Sequence, residues 1–572
     1  MSKTLMAQES SSSAQSSSFM TWFRGRKGLQ MREAVTAYIF LLPALLIIGL
    51  FGLFPLAFSV YESTLKGLNT FLGKYGGMDN YTKAIGNLAY VLAFWIAVAC
   101  IFLAVRSLVN MGRTAGENDQ GSRLWLWLAP GAVTAAGIVL FVRFFFLLLP
   151  QVLDIANKVR GLERTRELFN QFLGEAWRAP AVQEALQTSL LTLAVGLALT
   201  FLVGRFLFRS TRNTTYYATF MLVCLLLIGG GVLGWFTWTE IEGAYVEALE
   251  EGEGLEIWSQ VVTISAGFIL LAVAWFLWGS ASKAKSTAVM FLQVGAAAAL
   301  IVGGWVLIGE LPRVIAAGNK DWWQGLLQTV YYSMGTIPFQ LGISLVIAVM
   351  LFQDIKGQGL FRLIYFLPYI TPTVASAAVF RIFFSGRATA PVNSLLSSLG
   401  LETQLWLDEP AGILKIISEA IGFALPDWAG GPSMALGVII IFNIWTYVGF
   451  DIVIFLAGLG SIPSELYEAA SIDGAGRWAQ FSGITLPLLS PTIYFLVLWA
   501  TIGTFKAFNH IWVLRSEAAL GTSDTASVII FHEFKRNTRY GYASALAVVL
   551  LIIILMLTLV NNRIASKRVF YG

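Results

Sequence analysis

A chain of 572 residues in which 57% are hydrophobic and only 12% charged has about half the charge of a soluble globular protein. That excludes a soluble fold, and apolar runs of spanning length along the chain require a membrane protein with many spans. The net charge of +5 calls for no nucleic-acid partner, because basic loop residues serve to orient spans in a membrane.

In chain order, residues 1–34 read as a cytoplasmic tail. It is a Ser-rich stretch too polar to pack, followed by Arg24, Arg26, Lys27 and Arg32. The apolar run 35–61 is too long for a signal-peptide core and has no small-residue cleavage site nearby, so it is expected to stay as the first span. Further runs lie near 88–108, 124–150, 186–208, 216–238, 259–279, 287–309, 325–352, 362–384, 433–458, 489–513 and 543–561. Each can satisfy its backbone in lipid only as a helix. The fold class is therefore all-α, a polytopic membrane protein of about 12 transmembrane helices. Cys100 and Cys224 both fall inside apolar runs and read as small hydrophobes, not as a disulfide or metal pair.

Twelve spans put both termini on one side, and loop charge makes that side the cytoplasm. Arg205, Arg209 and Arg212, then Lys283 and Lys285, then Lys356 and Arg362 mark inner loops, and Arg563, Lys567 and Arg568 mark the C-terminus. The 239–258 stretch has seven glutamates and no Lys or Arg and is expected to be an outer loop. The 151–185 loop, also placed outside, mixes Lys158, Arg160, Arg164, Arg166 and Arg178 with acids. A sided amphipathic helix at the outer interface would fit that mixture.

The polar stretch 463–491 between two apolar runs is the most specific feature. Glu468-Ala469-Ala470, three residues, Gly474, nine residues, then Ile484-x-Leu486-Pro487 form a fixed pattern where a loop ordinarily has none. Good helix formers with acids in the first turn follow Pro463. Asp473-Gly474 is a turn pair, and a second helix is expected from near Arg477 to just before Pro487. This pattern resembles the EAA loop of ABC importer permeases. The wording around it resembles the carbohydrate-importer branch, the family of the maltose transporter permeases. Also similar are A-Y-I-F-L-L-P-A-L-L in the first span, G-M-D-N-Y-T-K-A-I around Asn80, F-R-L-I-Y-F-L-P-Y-I-T-P at 361–372 and G-Y-A-S-A at 541–545.

The resemblance implies a six-helix type I importer permease core, made of 35–87 and 311–572, interrupted by an inserted block of about six helices at 88–310. The core is complete without the block, so these inserted helices are expected beside the translocation path. Within the block Gln183–Thr188 echoes Gln324–Thr329, a relic of duplication or two similar helix starts.

The same resemblance implies that Glu468, Ala469, Ala470, Asp473, Gly474 and Pro487 couple the pore to a dimer of ABC ATPase subunits, with Glu468 as the anchor. ATP and Mg would be used by those partner subunits and no cofactor by this chain. A second permease subunit and an extracytoplasmic solute-binding protein would complete an importer in the bacterial inner membrane. Asn443, Thr446, Tyr447 and Phe450 share one helix face, and Ala500, Gly503, Thr504 and Ala507 share another. Aligned on the EAA loop, Thr446, Tyr447, Phe450, Gly503, Thr504 and Ala507 fall where the maltose permease lines its sugar site. The small residues equally suit close helix packing. Asp451, Lys506 and His510 would form an interhelical pair, snorkel or touch solute.

The chain has no P-loop and no second histidine to make H-E-F-K at His532 a zinc motif, so no catalytic or metal residue is assigned. Two other readings stay open: a twelve-span ion-coupled secondary transporter, whose halves should repeat, and an ABC permease for a non-sugar solute such as glycerol phosphate.

Overall fold

The computed structural model describes residues 26–67, 74–117, 124–159, 161–163, 165–204, 213–250, 252, 256–281, 288–353 and 356–568. Arg24, Arg160, Arg164, Arg205, Arg209, Arg212, Lys283 and Lys285 of the charge reading lie outside the described residues. By contact the chain divides at Tyr61 and Glu62 into two units. In the first, helix Arg26–Ile48 runs through a wide turn at Gly49–Leu53 into helix Phe54–Glu62.

Among the described residues ten helices are long and apolar enough to cross a membrane, and two bent pairs bring the number to twelve if each pair is one span. The only paired strands described are the two-residue Leu65–Lys66 and Lys74–Tyr75. The two cysteines are free.

Within the second unit, Leu88–Glu117, Leu128–Lys158, Pro180–Leu202, Asn213–Glu250, Glu256–Ala281 and Ala288–Ala317 form close helix pairs. Small residues set their spacing: a Cβ on Gly303 would lie 2.9 Å from the Cβ of Leu270, and one on Gly196 2.5 Å from Oγ1 of Thr134. In lipid, where apolar surface gains nothing by leaving its solvent, such close approach is what holds helices together. An amphipathic helix, Arg166–Arg178, capped by the Thr165 hydroxyl, occupies the 151–185 connection. The stretch expected as an acidic loop is a correction. The Asn213–Glu250 helix continues through Glu240, Glu242, Glu247 and Glu250, because glutamate, alanine and leucine are good helix formers whatever their charge. The two segments of the sequence echo both lie in the opening turns of helices, Pro180–Leu202 and Lys320–Leu351, but in different settings: Thr188 is exposed, whereas Thr329 is fully buried and accepts from the Ala526 N–H.

The C-terminal helices are less regular. Lys320–Leu351 and Met434–Gly460 lie side by side. The latter is the most buried span, with Leu436, Ile439, Phe442, Ile452 and Phe455 in its core faces. The run expected as one span at 362–384 is two helices, Gly359–Ile370 and Thr373–Phe383, bent by 93°. Pro372, which has no N–H and restrains the residue before it, sits at the break. A second bend of 61° separates Arg477–Leu488 from Ser490–Phe505. The run 489–513 is likewise interrupted, ending at Phe505 and resuming at Asn509–Leu514.

Candidate functional site: a polar hairpin and a cavity on adjoining helices

The hairpin is built by its own turn. Helix Ser464–Ile472 ends where Gly474 takes φ +81. The Ala475 N–H donates to the Ala470 carbonyl at 2.8 Å and the Gly474 N–H to that of Ser471 at 3.1 Å, a Schellman close that favours glycine at the left-handed position. No atom lies within 4 Å of where a Gly474 Cβ would sit, so its constraint is backbone conformation rather than space. The second limb folds back and is tied to the first. Gln480 Nε2 donates to Ser471 Oγ at 2.9 Å and to the Ala475 carbonyl at 3.1 Å, and the Tyr467 and Thr485 hydroxyls are 2.9 Å apart.

The second limb does not end before Pro487, as its sequence predicts; it runs to Leu488. A wide turn at Phe481–Thr485 precedes the proline, and such a turn can leave a carbonyl free of the N–H that proline lacks.

What the hairpin presents is unusual for a polar loop. No residue of Ser464–Ile472 is buried. Glu468, Ala469, Asp473 and Pro487 are exposed and Ala470 is half-buried. Ile472 is 87% and Trp478 77% exposed, a cost that a binding partner would remove. The hairpin's base is closely packed: a Cβ on Gly458 would lie 2.6 Å from Thr492 Oγ1, so the helices on its two sides are in contact.

Between Lys320–Leu351, the two limbs of 359–383, Met434–Gly460 and Ser490–Phe505 lies a cavity of about 390 Å³. Of the sequence-predicted residues, Asn443, Tyr447, Gly503, Thr504 and Ala507 line it. Nothing lies within 4 Å of a Cβ built on Gly503, so that glycine opens space rather than admitting a neighbouring helix. Thr446 and Phe450 are not in the lining. Thr446 is buried, with Oγ1 donating to the Phe442 carbonyl at 2.9 Å. Phe450 lies behind, its ring 5.1 Å from that of Tyr369 and 6.0 Å from that of Trp499.

The sequence reading missed Gln340, Tyr369 and Trp499, which line the cavity with Lys506, Asn509 and His510. A glutamine in the middle of an apolar run was the available signal for Gln340. The three ionisable groups are not paired with one another among the described residues. Asp451 accepts from Gln340 Nε2 at 2.6 Å, His510 Nε2 is 2.7 Å from the Tyr332 hydroxyl, and Lys506 is exposed to the cavity. Thr504 Oγ1 accepts from Ser333 Oγ at 2.7 Å. The wall therefore combines rings, carboxamides and hydroxyls with one cation. A second cavity of about 410 Å³, between Thr373–Phe383 and Trp445, has little polar lining beyond Thr371 and Ser376.

Comparison with known proteins places these features in context. The family profile described as binding-protein-dependent transport system inner membrane component matches residues 311–570. The chain is 33% identical over 271 residues to the probable ABC transporter permease protein YesP of Bacillus subtilis, covering 47% of this chain and 79% of that one. It is 28% identical over 256 residues to the trehalose/maltose transport system permease protein MalF of Thermococcus litoralis, covering 45% and 78%. Among solved structures, a bacterial alginate ABC transporter in complex with an alginate pentasaccharide-bound periplasmic protein aligns at 25% identity and a TM-score of 0.38, over 44% of this chain and 81% of that one.

Proposed function

The chain belongs to the binding-protein-dependent transport system inner membrane components, as a carbohydrate ABC importer permease, and on that premise we propose that its 463–491 hairpin is the coupling element and its 390 Å³ cavity the saccharide site. Members of this family are transport subunits rather than enzymes, and the ion-coupled reading falls with the assignment. ATP and Mg are used by a dimer of partner ATPase subunits. A second permease completes the pathway, an extracytoplasmic binding protein delivers the solute, and both termini lie in the cytoplasm. Residues 88–310 are an insertion beside a core made of 35–87 and 311–572.

The observation that carries this reading is the exposed, internally tied hairpin. A short helical hairpin with Glu468 and Ile472 uncovered on one limb and Trp478 on the other, on a closely packed base between two spans, fits a socket on another subunit. Closure of an ATPase dimer would pull such a hairpin as one piece, and its base would tilt the helices that line the cavity. Tyr369, Tyr447 and Trp499 offer faces for sugar rings, and Asn443, Gln340 and Thr504 offer neutral hydrogen-bonding groups.

Purification of the tagged chain from its own cells in mild detergent tests this. An ATPase subunit and a second permease should co-purify, with ATP hydrolysis stimulated by the binding protein. A chain recovered alone from cells that make both would overturn the coupling assignment. Lys506 on the cavity wall favours one second reading, an anionic solute such as glycerol phosphate. Uptake of that ester, undiminished by excess oligosaccharide, would select it.

A further inference from the structure

We propose that Asp451 is a positioning residue: it fixes which way round the two carboxamides of the cavity point and so sets the hydrogen-bond pattern offered to the solute. The inference rests on the cavity's being the solute site. Asp451 is 1% exposed and does not line the cavity. It lies eight residues along the helix from Asn443, about 12 Å, with Gln340 of the neighbouring helix between them.

Gln340 Nε2 donates to Asp451 Oδ2 at 2.6 Å, and Asn443 Nδ2 donates to Gln340 Oε1 at 3.3 Å. Gln340 and Asn443 both line the cavity. The stem of the relay is held too, since Ser344 Oγ donates to the Gln340 carbonyl at 2.6 Å and to that of Val448 at 3.2 Å.

A Gln–Asn pair alone is degenerate. Each side chain has a donor end and an acceptor end, and the bond between them forms equally well with both reversed. A carboxylate, which can only accept, breaks that symmetry. It draws the Gln340 amino group toward itself, turns Oε1 to Asn443, and commits one N–H of Asn443 inward. Asn443 Oδ1, which has no partner among the described residues, is then left as an acceptor for a solute hydroxyl. A buried acid in a membrane span is costly, and no cation lies in ion-pair range of Asp451 among the described residues to offset it. Packing alone would be served by a neutral residue of the same size. Specified polarity is what the acid adds, through a chain in which each bond orients the next.

The test is a double-variant cycle in the complete importer, read as uptake of radiolabelled maltotriose and arabinotriose. Asp451→Asn, which keeps the volume but can both donate and accept, should lower kcat/KM for the saccharide that wild type takes up by about tenfold, mostly through KM. In a Gln340→Met background it should have no further effect, because the relay is already cut; coupling of this kind is what such cycles isolate. Wild-type uptake in Asp451→Asn with Gln340→Met impaired, or losses that simply multiply, would overturn the inference. Uptake of neither sugar by wild type would instead count against the proposed function. An electron cryo-microscopy structure of Asp451→Leu then decides independently: Gln340 and Asn443 should separate or exchange ends. A relay unchanged in that variant would overturn the inference.

Discussion

The helices between 88 and 317 and those between 320 and 568 share hydropathy but not interiors. In the first group the buried polar residues are Thr134, Ser189 and Thr237, each returning its hydroxyl to a carbonyl of its own helix, and one bond, from the Tyr217 hydroxyl to Thr134 Oγ1 at 3.0 Å, crosses between helices. In the second, Gln340, Asn443, Asp451, Thr504, Ser333, Tyr332 and His510 bond from one helix to another. Among the described residues the first group is unbroken and paired; the second is broken at Pro372 and at Leu489. Lipid penalises polar interiors and broken helices alike, and their concentration in one group is what the proposed path for solute requires of it. The first group keeps closer to those rules, which fits the proposal that it lies beside the conduit.

The contrast can be broken most severely at the hairpin. Gly474→Val forces a β-branched residue into a left-handed conformation, at a cost of about 1–3 kcal/mol. Glu468→Lys reverses the charge on the exposed helix face. Both should insert and fold, since neither position is packed, yet lose binding-protein-stimulated ATPase activity by about tenfold or more. Stimulated ATPase rates equal to wild type in both would end the coupling assignment.

Next in size is Gly503→Leu. A side chain there enters open space, so a melting curve should hardly change, while saccharide uptake falls by about tenfold as the cavity fills. A large drop in melting temperature with uptake per folded molecule preserved would restore the close-packing reading of the small-residue face.

Gly303→Val probes the other group. Its Cβ meets Leu270 at 2.9 Å, and overpacking of this kind costs about 1–3 kcal/mol. Thermal stability in detergent should fall, with KM for uptake unchanged. A shifted KM would mean that these helices touch the path after all.

How much of this was legible follows from the same contrast. Spans were visible because lipid imposes long apolar runs, but hydropathy is blind to a bend inside a run. Proline was no guide by itself: Pro43, Pro150, Pro312, Pro338 and Pro368 all lie inside unbroken helices. The hairpin could be read because its fixed spacing resembles a family pattern, and at Gly474 the left-handed turn shows a local demand behind it. The cavity was half legible. Asn443 and Tyr447 share a helix face, but Gln340, Tyr369 and Trp499 come from helices whose rotation no local pattern fixes.

Two remote phrases proved to be one construction. Asn80 Nδ2 donates to the Ser63 and Leu65 carbonyls at 2.9 and 2.8 Å, and Gly541 fits only because a Cβ would lie 2.1 Å from the Leu65 carbonyl. G-M-D-N-Y and G-Y-A-S-A thus meet across most of the chain.

The mildest test sits where the paired helices meet the 78–87 segment. The helix extension that the sequence disguised as a loop brings Glu240 to the start of the Asp79–Ile85 helix, where Oε2 accepts from the Met78 N–H at 3.0 Å. That N–H belongs to an unpaired helix start, and a carboxylate there also meets the positive end of the helix dipole. Asn87 Nδ2 donates to Gln260 Oε1 at 2.8 Å nearby, so the paired helices are fastened to this segment by polar bonds as well as by the apolar cluster around Tyr90, Ile264 and Trp322. Glu240→Ala should therefore cost about 1 kcal/mol, seen as a slightly lower melting temperature and faster hydrogen exchange across residues 78–82. Glu240→Gln, which keeps an acceptor, should recover most of it, and uptake should be untouched in both. Exchange confined to wild-type rates in the alanine variant would show that the apolar cluster alone fastens the paired helices to this segment.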